Sequence, residues 1–135
     1  MSLKLYFLRH GQTDCSRDDA FCGSIDALLT PDGFEMAEAF ASAYRSTPWA
    51  AVYSSPMQRT IATAGPLCKV LGLEAQLREG LKEIDYGKWE GCSKTQVDGD
   101  YHDDYLRWLA DPAWNAPTGG ELAVTIAARA LMVIE

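Results

Sequence analysis

Several things are scarce in this chain, and each scarcity removes a class of function. There are two histidines, His10 and His102, and four cysteines, Cys15, Cys22, Cys68 and Cys92. No two cysteines have the close spacing of a zinc knuckle or a redox pair, so structural zinc and dithiol chemistry are set aside. The cysteines read as free thiols in a reducing cytosol, and a cytoplasmic location is expected. The apolar runs are far too short for a membrane span, and the N-terminus leads straight into a strand-like segment with no leader pattern. Basic residues number 12 against 19 acidic ones, the net charge is -7, and no polybasic stripe occurs. Nucleic acid and anionic membranes are therefore not expected as partners. No Gly-rich phosphate loop is present, which disfavours a flavodoxin-like nucleotide domain. Without repeats, low-complexity tracts or linkers, residues 1–135 are expected to form a single domain.

What is present alternates. Residues 3–8 read as a buried strand. Thr30 and Pro31 are placed as N-cap and first residue of a helix whose apolar face holds Phe34, Ala37, Ala41 and Tyr44. Residues 51–54 form a second strand. Ser55 and Gln58 suggest a capping box for a helix kinked at Gly65-Pro66 and ended by Gly72. Residues 76–77 suggest a brief edge strand, 80–99 an ordered loop, and 101–110 a helix. Thr118 and Glu121 suggest a capping box for a last helix buried through Leu122, Ile126, Ala130 and Val133. Strands alternating with helices predict an α/β fold, a three-layer α/β/α sandwich with a mainly parallel sheet.

In such sheets ligands bind beyond the carboxyl ends of the strands. Arg9 and His10 end the first strand, and Arg59 lies in the first turn of the helix after the second. Two guanidiniums on one rim make an anion cradle, and phosphate suits their forked donors. An imidazole between two fixed cations should hold its proton weakly, leaving a lone pair for attack on phosphorus. Gly11 would let the backbone pass close to the ligand. A leaving alkoxide needs a proton, and Glu83, between apolar Leu81 and Ile84 and so partly shielded, is the candidate acid. Asp85 and Glu90 are rivals. Tyr86, Trp89, Trp108 and Trp114 are either pocket walls or core anchors.

The segments "LRHGQTD", "YSSPMQRTIATA", "LKEIDYGKWEG" and "PTGGE" occur in the order and spacing of the histidine phosphatase superfamily, the phosphoglycerate mutase-like group, which the chain resembles over nearly its full length. The resemblance implies that His10 is phosphorylated, that Arg9 and Arg59 bind the phosphoryl group, and that Glu83 is the proton donor. It implies no metal or organic cofactor. Gly11, Ser16 and Gly23 are counted with the two arginines as substrate-binding positions; Ser16 stands where the family carries an asparagine.

The family pattern also has a second histidine on a central strand after the final helix, and no such segment follows Val133. Three expectations are compatible with this: a fragment of a longer protein, element exchange in a homodimer, or direct pairing of the first two strands. His102 is expected to be an exposed helix residue. The function expected is hydrolysis of a small phosphorylated metabolite through a phosphohistidine. The alternatives are a catalytically impaired phosphate-binding module and a mutase-type phosphotransferase.

Overall fold

The computed structural model describes residues 2–135. The chain opens with an extended segment and a short helix α1, Asp14–Arg17. Thr13 and Ser16 cap α1 reciprocally: Ser16 N–H donates to Thr13 Oγ1 at 3.1 Å and Thr13 N–H to Ser16 Oγ at 2.9 Å. Helix α2, Pro31–Tyr44, begins where the sequence predicts, with Gly33 N–H donating to the Thr30 hydroxyl at 3.1 Å. Its face is narrower than expected: Ala37 and Ala41 are buried, whereas Phe34 and Tyr44 are exposed.

Strand β1, Val52–Ser54, continues into helix α3, Gln58–Leu71, and returns as β2, Ala75–Leu77. The two strands pair in parallel, Val52 opposite Ala75 and Ser54 opposite Leu77. A parallel pair needs such a crossover, because a tight turn would reverse the chain. Gly72, at φ 67°, ends α3 in the left-handed conformation that glycine adopts freely. The helix runs through Gly65 and Pro66 without ending. Ser55 is not its cap: Asp26 accepts the Gln58 N–H at 2.8 Å, and the Ser55 hydroxyl pairs with that of Thr60 at 2.6 Å.

Residues 3–8 correct the sequence expectation. They are extended but form no strand, and Leu3, Phe7 and Leu8 are 82%, 83% and 48% exposed. No ladder partner for them lies among the described residues, and the first two predicted strands are not joined.

After β2 come two 3₁₀ turns, Glu79–Leu81 and Gly87–Trp89, then helices α4, Lys94–Asp100, α5, His102–Ala110, and α6, Ala123–Ile134. Helix α4 was not expected; Ser93 and Gln96 form its capping box. Thr118 and Glu121 do not cap α6. The Thr118 hydroxyl instead accepts from Trp89 Nε1 at 3.0 Å and donates to Asp104 at 2.7 Å. The stripe Leu122, Ile126, Ala130 and Val133 is half-buried.

A core forms around Phe21, Trp89 and Val97, with Tyr86, Tyr105 and Trp108 packed against it. Phe21 meets the rings of Trp89 and Trp108 at 5.5 and 5.8 Å, the latter edge-on. These aromatics are therefore core anchors, and Trp114, 70% exposed, belongs to no such wall. Cys15 and Cys22 form a disulfide with Cα atoms 6.1 Å apart, which corrects the free-thiol expectation for that pair; Cys68 and Cys92 are free. No helix is long and apolar enough to cross a membrane among the described residues.

Candidate active site

The residue that faces solvent chemistry is carried by a turn with little room. Gly11 lies against Gly33 of α2, and a side-chain carbon at position 11 would come 2.5 Å from the Gly33 carbonyl oxygen. Gly11 therefore serves close backbone packing against a helix. Its N–H donates to the Thr63 hydroxyl of α3 at 2.9 Å. Two helices thus hold the turn that presents His10.

His10 Nδ1 lies 2.7 Å from the Gly11 carbonyl oxygen. A carbonyl only accepts, so Nδ1 is the donor, and in the neutral form of the ring the lone pair is on Nε2. Burial is the largest cause holding the imidazolium below its ordinary value of 6.5, and the charges of Arg59 and Arg9 add to it. The bond to the Gly11 carbonyl and the Glu83 charge act the other way. The expected direction is found, with desolvation ahead of the two cations as its cause.

Arg9, His10, Arg59 and Glu83 line one cavity of about 250 Å³. Ser55, Thr60 and Lys82 also line it, and sequence reasoning passed over all three as ligands. Arg59 is 3% exposed. Its two terminal nitrogens donate to the carbonyls of Ile25 and Gly23, each at 2.8 Å, so the loop before α2 fixes the direction of the guanidinium. Glu83 is exposed, not shielded as the flanking apolar residues suggested, and accepts the N–H of Ile84 at 2.8 Å.

Three expected positions fall outside this cavity. The Ser16 hydroxyl is engaged in the α1 cap and donates to the Thr13 carbonyl at 3.1 Å. Gly11 packs on α2. Gly23 is buried where a side-chain carbon would collide with the Ile84 carbonyl, and it contributes the carbonyl that holds Arg59. Of the rival acids, Glu90 is committed to backbone: its carboxylate accepts from Gly23 at 3.0 Å, Ser24 at 2.8 Å and Tyr86 at 3.0 Å. Asp85 is exposed and accepts the Gly87 N–H at 2.8 Å. His102 is exposed at the start of α5, 2.7 Å from Asp98. The loop anchor Glu90 and the clasp Thr63 were missed, because each acts on residues distant in sequence.

An imidazole whose proton is held weakly, two arginines and a carboxylate around one small cavity on an α/β scaffold define a site suited to phosphoryl groups. The histidine phosphatase superfamily (branch 1) model matches residues 5–135, and the chain belongs to that family. It is 35% identical over 126 residues to the glucosyl-3-phosphoglycerate phosphatase of Mycobacterium tuberculosis, covering 93% of this chain and 56% of that protein. It is 32% identical over 109 residues to the putative phosphoserine phosphatase 2 of Hydrogenobacter thermophilus, covering 81% of this chain and 54% of that one. The chain thus spans little more than half the length of these relatives. Among solved structures, the mycobacterial glucosyl-3-phosphoglycerate phosphatase with VO3 superposes with a TM-score of 0.84 at 33% identity, over 93% of this chain and 62% of that one. A putative alpha-ribazole-5'-P phosphatase from Escherichia coli gives 0.88 at 25% identity, over 94% and 63%. The fold is accordingly α/β, of the phosphoglycerate mutase-like type.

Proposed function

We propose that the protein hydrolyses phosphomonoesters through a phosphohistidine at His10. The observation that carries this is the bond from His10 Nδ1 to the Gly11 carbonyl, which puts the lone pair of the neutral ring on Nε2, in a residue that lines one cavity with Arg9, Arg59 and Glu83. Nε2 attacks phosphorus in line, the P–O bond to the alcohol breaks, and Glu83 gives its proton to the departing oxygen. Water then attacks phosphorus while the Glu83 carboxylate takes its proton, the N–P bond breaks, and inorganic phosphate leaves. Arg9 and Arg59 neutralise the oxygens throughout, without changing charge themselves.

The substrate class is a small phosphorylated metabolite, and the names of the relatives make glucosyl-3-phosphoglycerate and phosphoserine the first compounds to assay. A cytoplasmic location accords with such substrates and would expose the Cys15–Cys22 bond to thiol reductants. A homodimer would cover apolar side chains such as Phe7 and Met132, which are 83% and 81% exposed.

The test is release of p-nitrophenol from p-nitrophenyl phosphate between about pH 5 and about pH 8, beside His10→Ala. Activity that disappears in the variant, with a phosphoryl label on the wild-type chain that is lost in acid and survives in alkali, is the expected result. Equal turnover by wild type and His10→Ala overturns the proposal.

A further inference from the structure

Arg129, in the middle of α6, lies against a cavity of about 660 Å³ that shares Lys82 and Glu83 with the smaller one. A guanidinium there looks like a second anion site. Its hydrogen bonds say otherwise. Nε donates to Glu121 at 2.9 Å. One terminal nitrogen donates to the carbonyls of Gly80 at 2.9 Å and Lys82 at 2.5 Å. The other donates to the Glu83 carbonyl at 3.1 Å and to Glu121 at 2.9 Å. A guanidinium has five N–H donors, and all five have protein acceptors, so none is left for a ligand.

Glu121 completes the arrangement from the other side. Its carboxylate accepts the Asp85 N–H at 3.3 Å, and its own N–H donates to the Asp85 carbonyl at 2.8 Å. The pair is only 23% and 20% exposed. Gly80 packs so closely on α6 that a side-chain carbon would come 2.5 Å from the Arg129 carbonyl oxygen. Residues 80–85, which carry Glu83, are therefore stitched at every second residue or closer, Gly80, Lys82 and Glu83 to Arg129 of α6 and Asp85 to Glu121 just before that helix.

We propose that Arg129 and Glu121 are positioning residues: they lock the backbone on both sides of Glu83 so that its carboxyl group stays in register with His10. The proposal rests on Glu83 being the proton donor, and extends it by naming what holds that donor in place. A lysine at position 129 has three donors on a point-like ammonium, and cannot span four backbone and carboxylate acceptors in a plane. Charge alone therefore does not restore the function.

The experiment compares Arg129→Gln, Arg129→Lys and the milder Glu121→Gln in the full chain, with thermal unfolding as a check on folding. An alkyl phosphate needs a proton on its leaving oxygen and p-nitrophenyl phosphate scarcely does. Misplacing the donor should lower kcat on the alkyl ester roughly 10²-fold while p-nitrophenyl phosphate stays within about fivefold. KM and inhibition by inorganic phosphate should stay within about twofold, since the phosphoryl cradle is untouched. Arg129→Gln added to Glu83→Gln should cost nothing further, because both remove one function. Equal losses on both esters, additive losses, or rescue by lysine overturn the proposal. Amide hydrogen exchange supplies a readout independent of turnover: residues 81–85 should exchange about tenfold faster or more in Arg129→Gln, with Gly23 and Ser24 unchanged. Unchanged exchange at 81–85 also overturns it. Should Glu83→Gln itself lose both esters equally, the proton-donor assignment fails, and exchange alone then decides whether the clamp exists.

Discussion

The Thr63 hydroxyl accepts the Gly11 N–H at 2.9 Å, across 52 residues of sequence, and donates to the Arg59 carbonyl at 2.7 Å. Both bonds are buried, and they tie the turn that carries His10 to the helix that carries Arg59. Thr63→Val keeps the shape and removes the oxygen. It leaves the Gly11 N–H buried without a partner, at a cost of about 1–3 kcal/mol. Thermal unfolding should show a drop of at least about 3 °C for valine. Thr63→Ser, which keeps the hydroxyl, should melt above the valine variant. Equal melting of valine and wild type would mean that the clasp does not hold the turn.

The two histidines should titrate on opposite sides of 6.5. Burial and two guanidiniums lower His10, whereas the hydrogen bond to Asp98 raises His102. With two histidines in the chain, their ring protons can be followed by NMR and assigned through His10→Ala. The sign for stability follows from proton binding. Below 6.5 the unfolded chain takes up the His10 proton before the folded one does, so the stability associated with His10 is present above that value. It is lost as pH falls through the folded midpoint. His102 contributes in the reverse sense, and exposure keeps its effect small. A His10 midpoint above that of His102 would contradict the site electrostatics.

Helix ends governed by local chemistry could be read from sequence. Thr30-Pro31 and Gly72 act within their own helices, and the structure places them as their spacing suggests. Capping signals whose atoms have other partners could not. Ser55 pairs with Thr60, and Thr118 with Trp89 and Asp104. The boxes that do form, Thr13 with Ser16 and Ser93 with Gln96, lie in stretches that the sequence presents as loop. Residues 3–8 show the same limit for strands: composition gives the propensity, but a ladder needs a neighbour. Around the site, the position of Arg59 at the start of the helix after β1 follows from the βα order, whereas Arg9 and His10 follow an extended segment that joins no sheet among the described residues. The supports of these residues are not legible in that order, since Thr63, Glu90 and Arg129 act across the fold. Nor did spacing reveal the disulfide of Cys15 and Cys22, which only a loop conformation can bring about.

Glu90 should matter more for stability than either of the other acids considered for the site. Its carboxylate gathers the N–H groups of Gly23, Ser24 and Tyr86 at 2.8 to 3.1 Å, and Gly23 in turn holds Arg59. Hydrogen bonds to a charged acceptor are the stronger kind, so Glu90→Ala should cost about 2–3 kcal/mol. Freed from its loop, Arg59 should grip phosphate less firmly, and inhibition by inorganic phosphate should weaken. Asp85→Asn, at an exposed carboxylate with one local bond, should cost under about 1 kcal/mol. Urea unfolding of the two variants checks the ranking, and a larger loss for Asp85→Asn would reverse it.

Two glycines should respond to alanine with opposite signs. Gly99 sits near the end of α4, and a methyl group there meets nothing within 4 Å. Alanine at that exposed helical position should stabilise the chain by about 0.5–1 kcal/mol, since it restricts the unfolded chain and suits the helix. Gly23 is buried, and its side-chain carbon would overlap the Ile84 carbonyl oxygen. Backbone cannot rotate aside as a flexible side chain can. Either the loop or residue 84 must move, which disturbs the Gly23 carbonyl under Arg59 and its N–H over Glu90 together. Overpacking of this kind costs about 1–3 kcal/mol. The urea midpoint should therefore rise for Gly99→Ala and fall for Gly23→Ala, with phosphate binding weakened in the second alone. A Gly23→Ala chain of undiminished stability and phosphate affinity would show that the loop does not press on residue 84 and does not need to.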